Sequence, residues 1–299
     1  MSPPTTSAVR LRARLAEDRP LLLPGCADAL TARIAVDVGF EGLYATGAGI
    51  SNALLGLPDL GLATMSEMVD QVARISDAVD VPVVADMDTG YGNPLNARRA
   101  VRALEAAGAA GVQVEDQVFP KRCGHFSGKE VIPLEEMRVK LLAILEGRRD
   151  PETVVIARTD AIAPEGPEAA IDRANAYAEI GADLVFVEAA PSRELLAELP
   201  RRVRAPLVAN MVEGGLTPLS SLAELGAMGY RVVLYANTAL RASMLAALGA
   251  LRTLHDEGSS ASILNQLVTW EERQRLVGKP EADELERQYS ARRADRDPE

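Results

Sequence analysis

Eight short apolar runs recur along the 299-residue chain, with stretches of helical length between most of them. They are Leu21-Leu22-Leu23, Gly42 to Ala45, Val81 to Ala85, Gly111 to Glu115, Thr153 to Ala157, Asp183 to Val187, Pro206 to Ala209 and Arg231 to Tyr235. The runs are nearly continuous in apolar residues rather than alternating, as the strands of a parallel sheet buried on both faces must be. Amphipathic stretches at Thr64 to Ala78, Asn96 to Ala107, Leu134 to Glu146, Pro167 to Ile180 and Pro218 to Met228 supply the crossovers. Asp28 can cap a further helix that runs to Val38. Gly39, Gly108, Gly181 and Gly229 stand where helix C-caps are needed. Eight strands with intervening helices predict an α/β fold, a (β/α)8 barrel forming one domain over 1–299, and a doubly wound open sheet is the competitor.

Polar residues cluster just after the apolar runs: Thr46, Asp86 and Asp88, Glu115 and Asp116, Arg158 and Asp160, Glu188, Asn210 and Asn237. A barrel gathers all those strand ends on one face, where active sites of that fold sit, whereas an open sheet strings them along an edge. The barrel is therefore favoured. Residues 1–7 read as a loose arm and Ala8 to Glu17 as a short helix. From Thr238 a long helix runs to about Glu257, followed by a further helical segment and a charged tail from Ala282.

The composition narrows the partners. Against 32 Lys and Arg stand 43 Asp and Glu, a formal charge of −11, which argues against affinity for nucleic acid or anionic lipid. An anionic substrate would need local positive charge or a metal against that field. The two cysteines give no disulfide framework and suit a reducing compartment. No apolar run approaches the roughly 18 residues of a membrane span. Ser2 to Ser7 lack the apolar core of a secretory signal, so the expected location is cytoplasmic.

Asp86-Met87-Asp88 follows the third run, and Gly90 and Gly92 let backbone approach a ligand closely. Two carboxylates two residues apart suit a hard divalent cation that keeps several waters, and Mg²⁺ fits better than zinc. The competing reading is an Asx turn that caps the next helix. Glu115 and Asp116 repeat the arrangement one strand later, and four carboxylates at one mouth repel one another unless a cation sits among them. Arg158 can clamp a carboxylate, Glu188 can order water or hydroxyl groups, and Asn210 can donate to an oxygen; structural pairing or capping is the alternative for each. Gly47-Ala48-Gly49 resembles a phosphate turn, but a lone Gly-x-Gly is weak, and a turn whose N–H groups hold a carboxylate is preferred.

Lys121 and Arg122 precede Cys123, and His125 follows it by two. Cations beside a sulfur favour its thiolate, so this thiol could exchange a proton near neutral pH. Cys26 reads as a small core residue and His255 as a group favoured by a helix C-terminus.

These residues carry a family resemblance. Asp86-x-Asp88-x-Gly90-Tyr91-Gly92, Glu115-Asp116-Gln117, Lys121-Arg122-Cys123-Gly124-His125, Ala157-Arg158-Thr159-Asp160 and Asn210 to Gly215 resemble, in order and spacing, the isocitrate lyase/phosphoenolpyruvate mutase superfamily. The closest branch holds methylisocitrate lyase, dimethylmalate lyase and carboxyphosphonoenolpyruvate phosphonomutase. The resemblance implies a barrel whose last helix swaps between subunits of a homotetrameric dimer of dimers. It implies Mg²⁺ (Mn²⁺ in its place) at Asp86 and Asp88, with Asp59 and Glu115 around it, and a substrate carboxylate at Thr46, Gly47 and Ala48. Arg158 would bind the pyruvate-like half of a small 2-hydroxy or 2-oxo carboxylate, with Gly124, Glu188, Asn210 and Arg241 also on the substrate. Cys123, on a closing loop, would protonate an enolate, and Tyr44, Lys121, His125 and Glu115 complete the catalytic set.

Departures from the branch concern substrate choice. Met87 replaces an Ala, a larger side chain under the metal. Trp270 stands where methylisocitrate lyases carry an Arg, although Arg241 matches their anchor. This mixture leans toward an apolar-substituted malate. The implied activity is a Mg²⁺-dependent carbon–carbon lyase; the alternatives are a phosphonomutase, an oxaloacetate decarboxylase or hydrolase, and a catalytically silent barrel scaffold.

Overall fold

The computed structural model describes residues 6–122, 124 and 128–294. At its centre eight parallel strands close on themselves: β1 Leu21–Cys26, β2 Leu43–Ala45, β3 Val83–Asp86, β4 Gly111–Glu115, β5 Val154–Thr159, β6 Leu184–Val187, β7 Leu207–Asn210 and β8 Tyr230–Tyr235. β8 pairs back onto β1, with Leu21 opposite Val232, so the open sheet is excluded and the barrel stands. The helices are α1 Ser7–Leu15, α2 Ala29–Val38, α3 Gly47–Ile50, α4 Met65–Asp77, α5 Pro94–Ala106, α6 Leu134–Leu145, α7 Ile162–Glu165, α8 Pro167–Ile180, α9 Arg193–Arg202, α10 Leu222–Met228, α11 Thr238–Glu257, α12 Trp270–Leu276 and α13 Lys279–Ala294.

Strand side chains alternate between two cores. Leu21, Leu23, Val84, Ile156, Leu184, Phe186, Val208, Val232 and Leu234 fill the barrel interior, with Leu11 of α1 among them. Val83, Ala85, Val112, Val114, Val155, Ala157 and Val185 face outward and pack with helix residues such as Met68, Leu104, Met137 and Tyr177. Each fully buried side chain of this size contributes about 1.5–3 kcal/mol, so both layers are needed to hold the strand ends in place.

Sequence periodicity missed α9. Its apolar residues are sparse, and Pro200 in its last turn looks like a breaker. Ser192 caps the start, accepting from Leu195 N–H at 3.2 Å. Pro200 has no N–H for the Leu196 carbonyl four residues back, and the Tyr230 hydroxyl donates to that oxygen instead at 2.9 Å. α10 starts later than expected, at Leu222, because Ser221 and Glu224 form a capping box.

The chain divides into two compact units, Met1–Arg241 and Ala242–Glu299. In the second, the α11 side chains Met244, Leu245, Leu248, Leu251 and Leu254 are exposed. Trp270, at the start of α12, is also exposed, with Thr269 capping that helix. No helix among the described residues is long and apolar enough to cross a membrane.

Candidate active site

Strand alternation decides which polar residues enter the barrel. Along β3 to β7 the inward positions end in Asp86, Gln113, Glu115, Arg158 and Asn210, while the residues between them belong to the outer core. Two expectations change as a result. Met87 lies in the outer core and not beside the cavity-facing Asp86 carboxylate. Asp116 also turns away from the mouth: its carboxylate accepts from the Asp160 N–H at 2.9 Å and the Tyr177 hydroxyl at 2.7 Å, with Arg173 at 3.5 Å. The mouth therefore carries fewer carboxylates than the adjacent pairs suggested, and Asp116 splices β4, β5 and α8 together.

At the C-terminal rim lies a cavity of about 200 Å³, walled by Tyr44, Thr46, Ala48, Asp59, Asp86, Lys121, Gly124, Arg158, Glu188 and Asn210. One side is built on Arg158. Its Nε donates to Asp160 Oδ2 at 2.8 Å and Nη2 to Asp160 Oδ1 at 3.0 Å. Glu188 Oε2 lies 3.3 Å away and Glu115 Oε2 3.4 Å, and the guanidinium sits 5.1 Å from the centre of the Phe186 ring. Burial works against its charge, but Asp160, Glu115 and Glu188 outweigh that and hold its pKa well above the usual value. Asn210 Nδ2 donates to Glu188 Oε2 at 3.1 Å, whereas Asn210 Oδ1 is buried without a hydrogen-bond partner. Gly124 packs directly on this group: an added Cβ would stand 2.3 Å from Arg158 Nη2 and 2.8 Å from Glu188 Cγ.

The opposite side is acidic. Asp86 Oδ2 accepts from Gly47 N–H at 3.2 Å and Oδ1 from Asp88 N–H at 3.1 Å. The Gly47 N–H, expected to meet a substrate carboxylate, is thus already held by an internal one. Thr46 caps the short α3, accepting from Gly49 N–H at 3.3 Å. Asp88 adopts a left-handed backbone, φ 45°, uncommon for a residue with a side chain. Lys121 Nζ bonds Asp59 and lies 3.0 Å from Asp88 Oδ1. Burial depresses the Lys121 ammonium, but Asp88, Glu115 and Asp59 more than restore it and raise its pKa well above normal.

Burial pushes Asp88 up to about 6, opposed by Lys121 and reinforced by Asp86 and Asp59. Burial likewise drives Glu115 well above the usual carboxylate range, against Arg158. Tyr44 is raised, first by burial and then by Asp86, so it remains a neutral O–H donor.

The donor set fits a hard divalent cation. Glu115 Oε1 is buried without a hydrogen-bond partner, and carboxylates destabilised by burial and by one another are those a cation would relieve. Among the described residues no three of His, Cys, Asp and Glu converge on one point, so an ion here would keep water ligands.

Asp88, Glu115 and Gly47 back the cavity without lining it. Arg241 is exposed, its Nη1 bonded to the Glu213 carbonyl at 2.6 Å, and it meets the site through Glu213 on the cavity wall. Cys123 and His125 lie outside the described residues. Buried Cys26 has its thiol pushed up to about 12 by burial and Asp28, as suits an inert core residue. His255 is exposed, its Nδ1 2.7 Å from Asp256 Oδ1.

Two residues escaped the sequence reading, Gln113 and Lys129. Gln113 lies two residues before Glu115, on the same face of β4, and a polar residue inside an apolar run was its signal. Val212 to Gly215 and Asn237, which the sequence marks at strand ends without a role, complete the wall. Lys129 is buried and bonded to the Gly124 carbonyl and Asp160 Oδ1, and nothing in its local sequence announces that.

Comparison with known proteins agrees with the barrel fold. The family model for phosphoenolpyruvate phosphomutase matches residues 11–255. A 2,3-dimethylmalate lyase from Eubacterium barkeri is 39% identical over 96% of this chain and 99% of its own length. A 2-methylisocitrate lyase from Aeropyrum pernix is 44% identical over 88% of this chain and 85% of its own. Among solved structures, oxaloacetate acetylhydrolase bound to 3,3-difluorooxalacetate superposes with a TM-score of 0.91 at 35% identity, covering 96% of this chain and 98% of that one. Phosphonopyruvate hydrolase, solved with oxalate and Mg²⁺, superposes at 0.86 with 30% identity, covering 95% and 99%.

Proposed function

The chain belongs to the phosphoenolpyruvate mutase/isocitrate lyase superfamily, and we propose that it is a Mg²⁺-dependent carbon–carbon lyase that cleaves a 2-hydroxy dicarboxylate. The observation that carries the reading is the division of one cavity between a buried, fixed guanidinium and a set of crowded carboxylates. Arg158 receives the substrate's carboxylate end, an anion drawn into an otherwise negative protein by local positive charge. Asp86 and Asp88, with Asp59 and Glu115 around them, hold Mg²⁺ or Mn²⁺. That ion supplies Lewis-acid stabilisation for charge developing on oxygen.

The substrate's hydroxyl proton leaves to a carboxylate of the cluster, the C2–C3 bond breaks as the C2 carbonyl forms, and a carboxylate enolate is released. Cys123 protonates that enolate, with Lys121 and His125 beside it in sequence, and Tyr44 donates its hydroxyl to a substrate oxygen. The products are a 2-oxo acid such as pyruvate and a carboxylic acid. Trp270, in the place of the Arg that the resemblance gives to methylisocitrate lyases, favours an apolar-substituted malate over a tricarboxylate. The exposed apolar stripe of α11 supports a homotetramer that exchanges this helix, and two cysteines with no disulfide framework suit the cytoplasm.

The test is a screen of 2-hydroxy dicarboxylates, oxaloacetate and phosphonates with Mg²⁺, reading 2-oxo acid release and ³¹P NMR in parallel. Release of pyruvate from a substituted malate, abolished by EDTA, is the expected result. Turnover of oxaloacetate alone, or a new C–P signal, would replace the reading with the hydrolase or the phosphonomutase.

A further inference from the structure

We propose that Lys129 is a positioning residue for the carboxylate anchor, its ammonium fixing through two acceptors where Arg158 stands in the cavity. The proposal rests on reading Arg158 as the substrate's anchor. The side chain of Lys129 is 1% exposed and that of its partner Asp160 0%. An ammonium so placed is tolerated only when its donors are satisfied by well-placed acceptors. Lys129 Nζ has two of them: Asp160 Oδ1 at 2.8 Å and the carbonyl of Gly124.

Both acceptors touch Arg158. Asp160 takes the guanidinium through two hydrogen bonds, and Lys129 fixes the Oδ1 that one of them uses. Gly124 lies against the same Nη2, so close that even a methyl group would clash. Lys129, Gly124, Arg158 and Asp160 thus form a closed ring of contacts. Glu115 and Glu188, at 3.4 and 3.3 Å, offer the guanidinium looser seats toward which it can tilt once the ring opens. Lys129 itself does not line the cavity, so it acts through its neighbours.

The test uses the full-length protein with Mg²⁺ and oxalate as the probe, titrated calorimetrically. Lys129→Met is expected to weaken oxalate binding tenfold or more and to raise KM more than it lowers kcat. Lys129→Arg, which keeps a cation, is expected to recover part of the loss. Because Lys129 acts in part through Asp160, the double variant with Asp160→Asn should lose less affinity than the product of the two single losses. Wild-type affinity in Lys129→Met, or losses that multiply in the double variant, overturns the proposal. If Lys129→Met does not fold by circular dichroism, Lys129→Gln takes its place under the same criteria.

Should the wild type itself fail to bind oxalate, the anchor reading fails, and the ring is then read by trypsin. Losing the bond to Gly124 should speed cleavage after the exposed Arg122 tenfold or more, and equal rates overturn the proposal.

Discussion

Arg158 and Asp160, two residues apart at the end of β5, form a two-bond ion pair whose carboxylate is fully buried. Burial alone would raise the Asp160 carboxyl, but Arg158 and Lys129 outweigh it and bring it down from 3.8 to about 2. A depressed carboxyl stabilises the fold above its unfolded value and loses that contribution as pH falls through the folded one. About 2 kcal/mol is therefore present above roughly pH 4 and lost by roughly pH 2. Asp160→Asn should lower stability at pH 7 by about 3–5 kcal/mol, because it leaves two cations without their shared partner. Its deficit should shrink on acidification, as followed by urea unfolding at stepped pH; parallel loss in both proteins would contradict the assignment.

Gly124 has no room for a side chain. Gly124→Ala places a methyl 2.3 Å from Arg158 Nη2, where a fixed guanidinium must move. KM for the substituted malate should rise about tenfold or more, from roughly 1.4 kcal/mol of lost anchoring. The melting temperature should move by only a few degrees, since the change sits at the cavity wall. Steady-state kinetics beside calorimetry separate the two.

Divalent metal should bind the folded state alone. Mg²⁺ at about one hundred times its dissociation constant should raise stability by about 2.7 kcal/mol. Asp86→Asn should abolish that response as well as turnover. A melting curve of the wild type indifferent to Mg²⁺ and EDTA would count against the metal site whatever the substrate proves to be.

Cys123→Ser replaces the thiol with a far weaker acid of nearly the same size. Turnover should fall by about 10²–10⁴, the usual worth of a positioned acid, while oxalate affinity changes little. Unchanged kcat would remove Cys123 from the proton transfer.

Tyr177 donates to Asp116 at 2.7 Å deep behind the site. Tyr177→Phe removes the donor and leaves a buried carboxylate oxygen less satisfied, which should cost about 1–3 kcal/mol in chemical denaturation.

The sequence alone determined eight parallel strands with intervening helices and favoured a barrel over an open sheet, because apolar runs buried on both faces suit such a sheet and polar residues follow its strands; the pairing of β8 with β1 closed it. It also located most of the polar cluster, since the C-terminal strand ends of a barrel share one rim. Only the tertiary structure decided which of two adjacent polar residues faces the cavity. Asp116 and Met87 went outward because a strand turns each successive side chain to the opposite face, and its phase is set by pairing with its neighbours. Long-range partners were equally invisible: Lys129 meets Asp160 across 31 residues and Lys121 meets Asp59 across 62. Nothing local records such bonds, because they exist only once the chain has closed on itself.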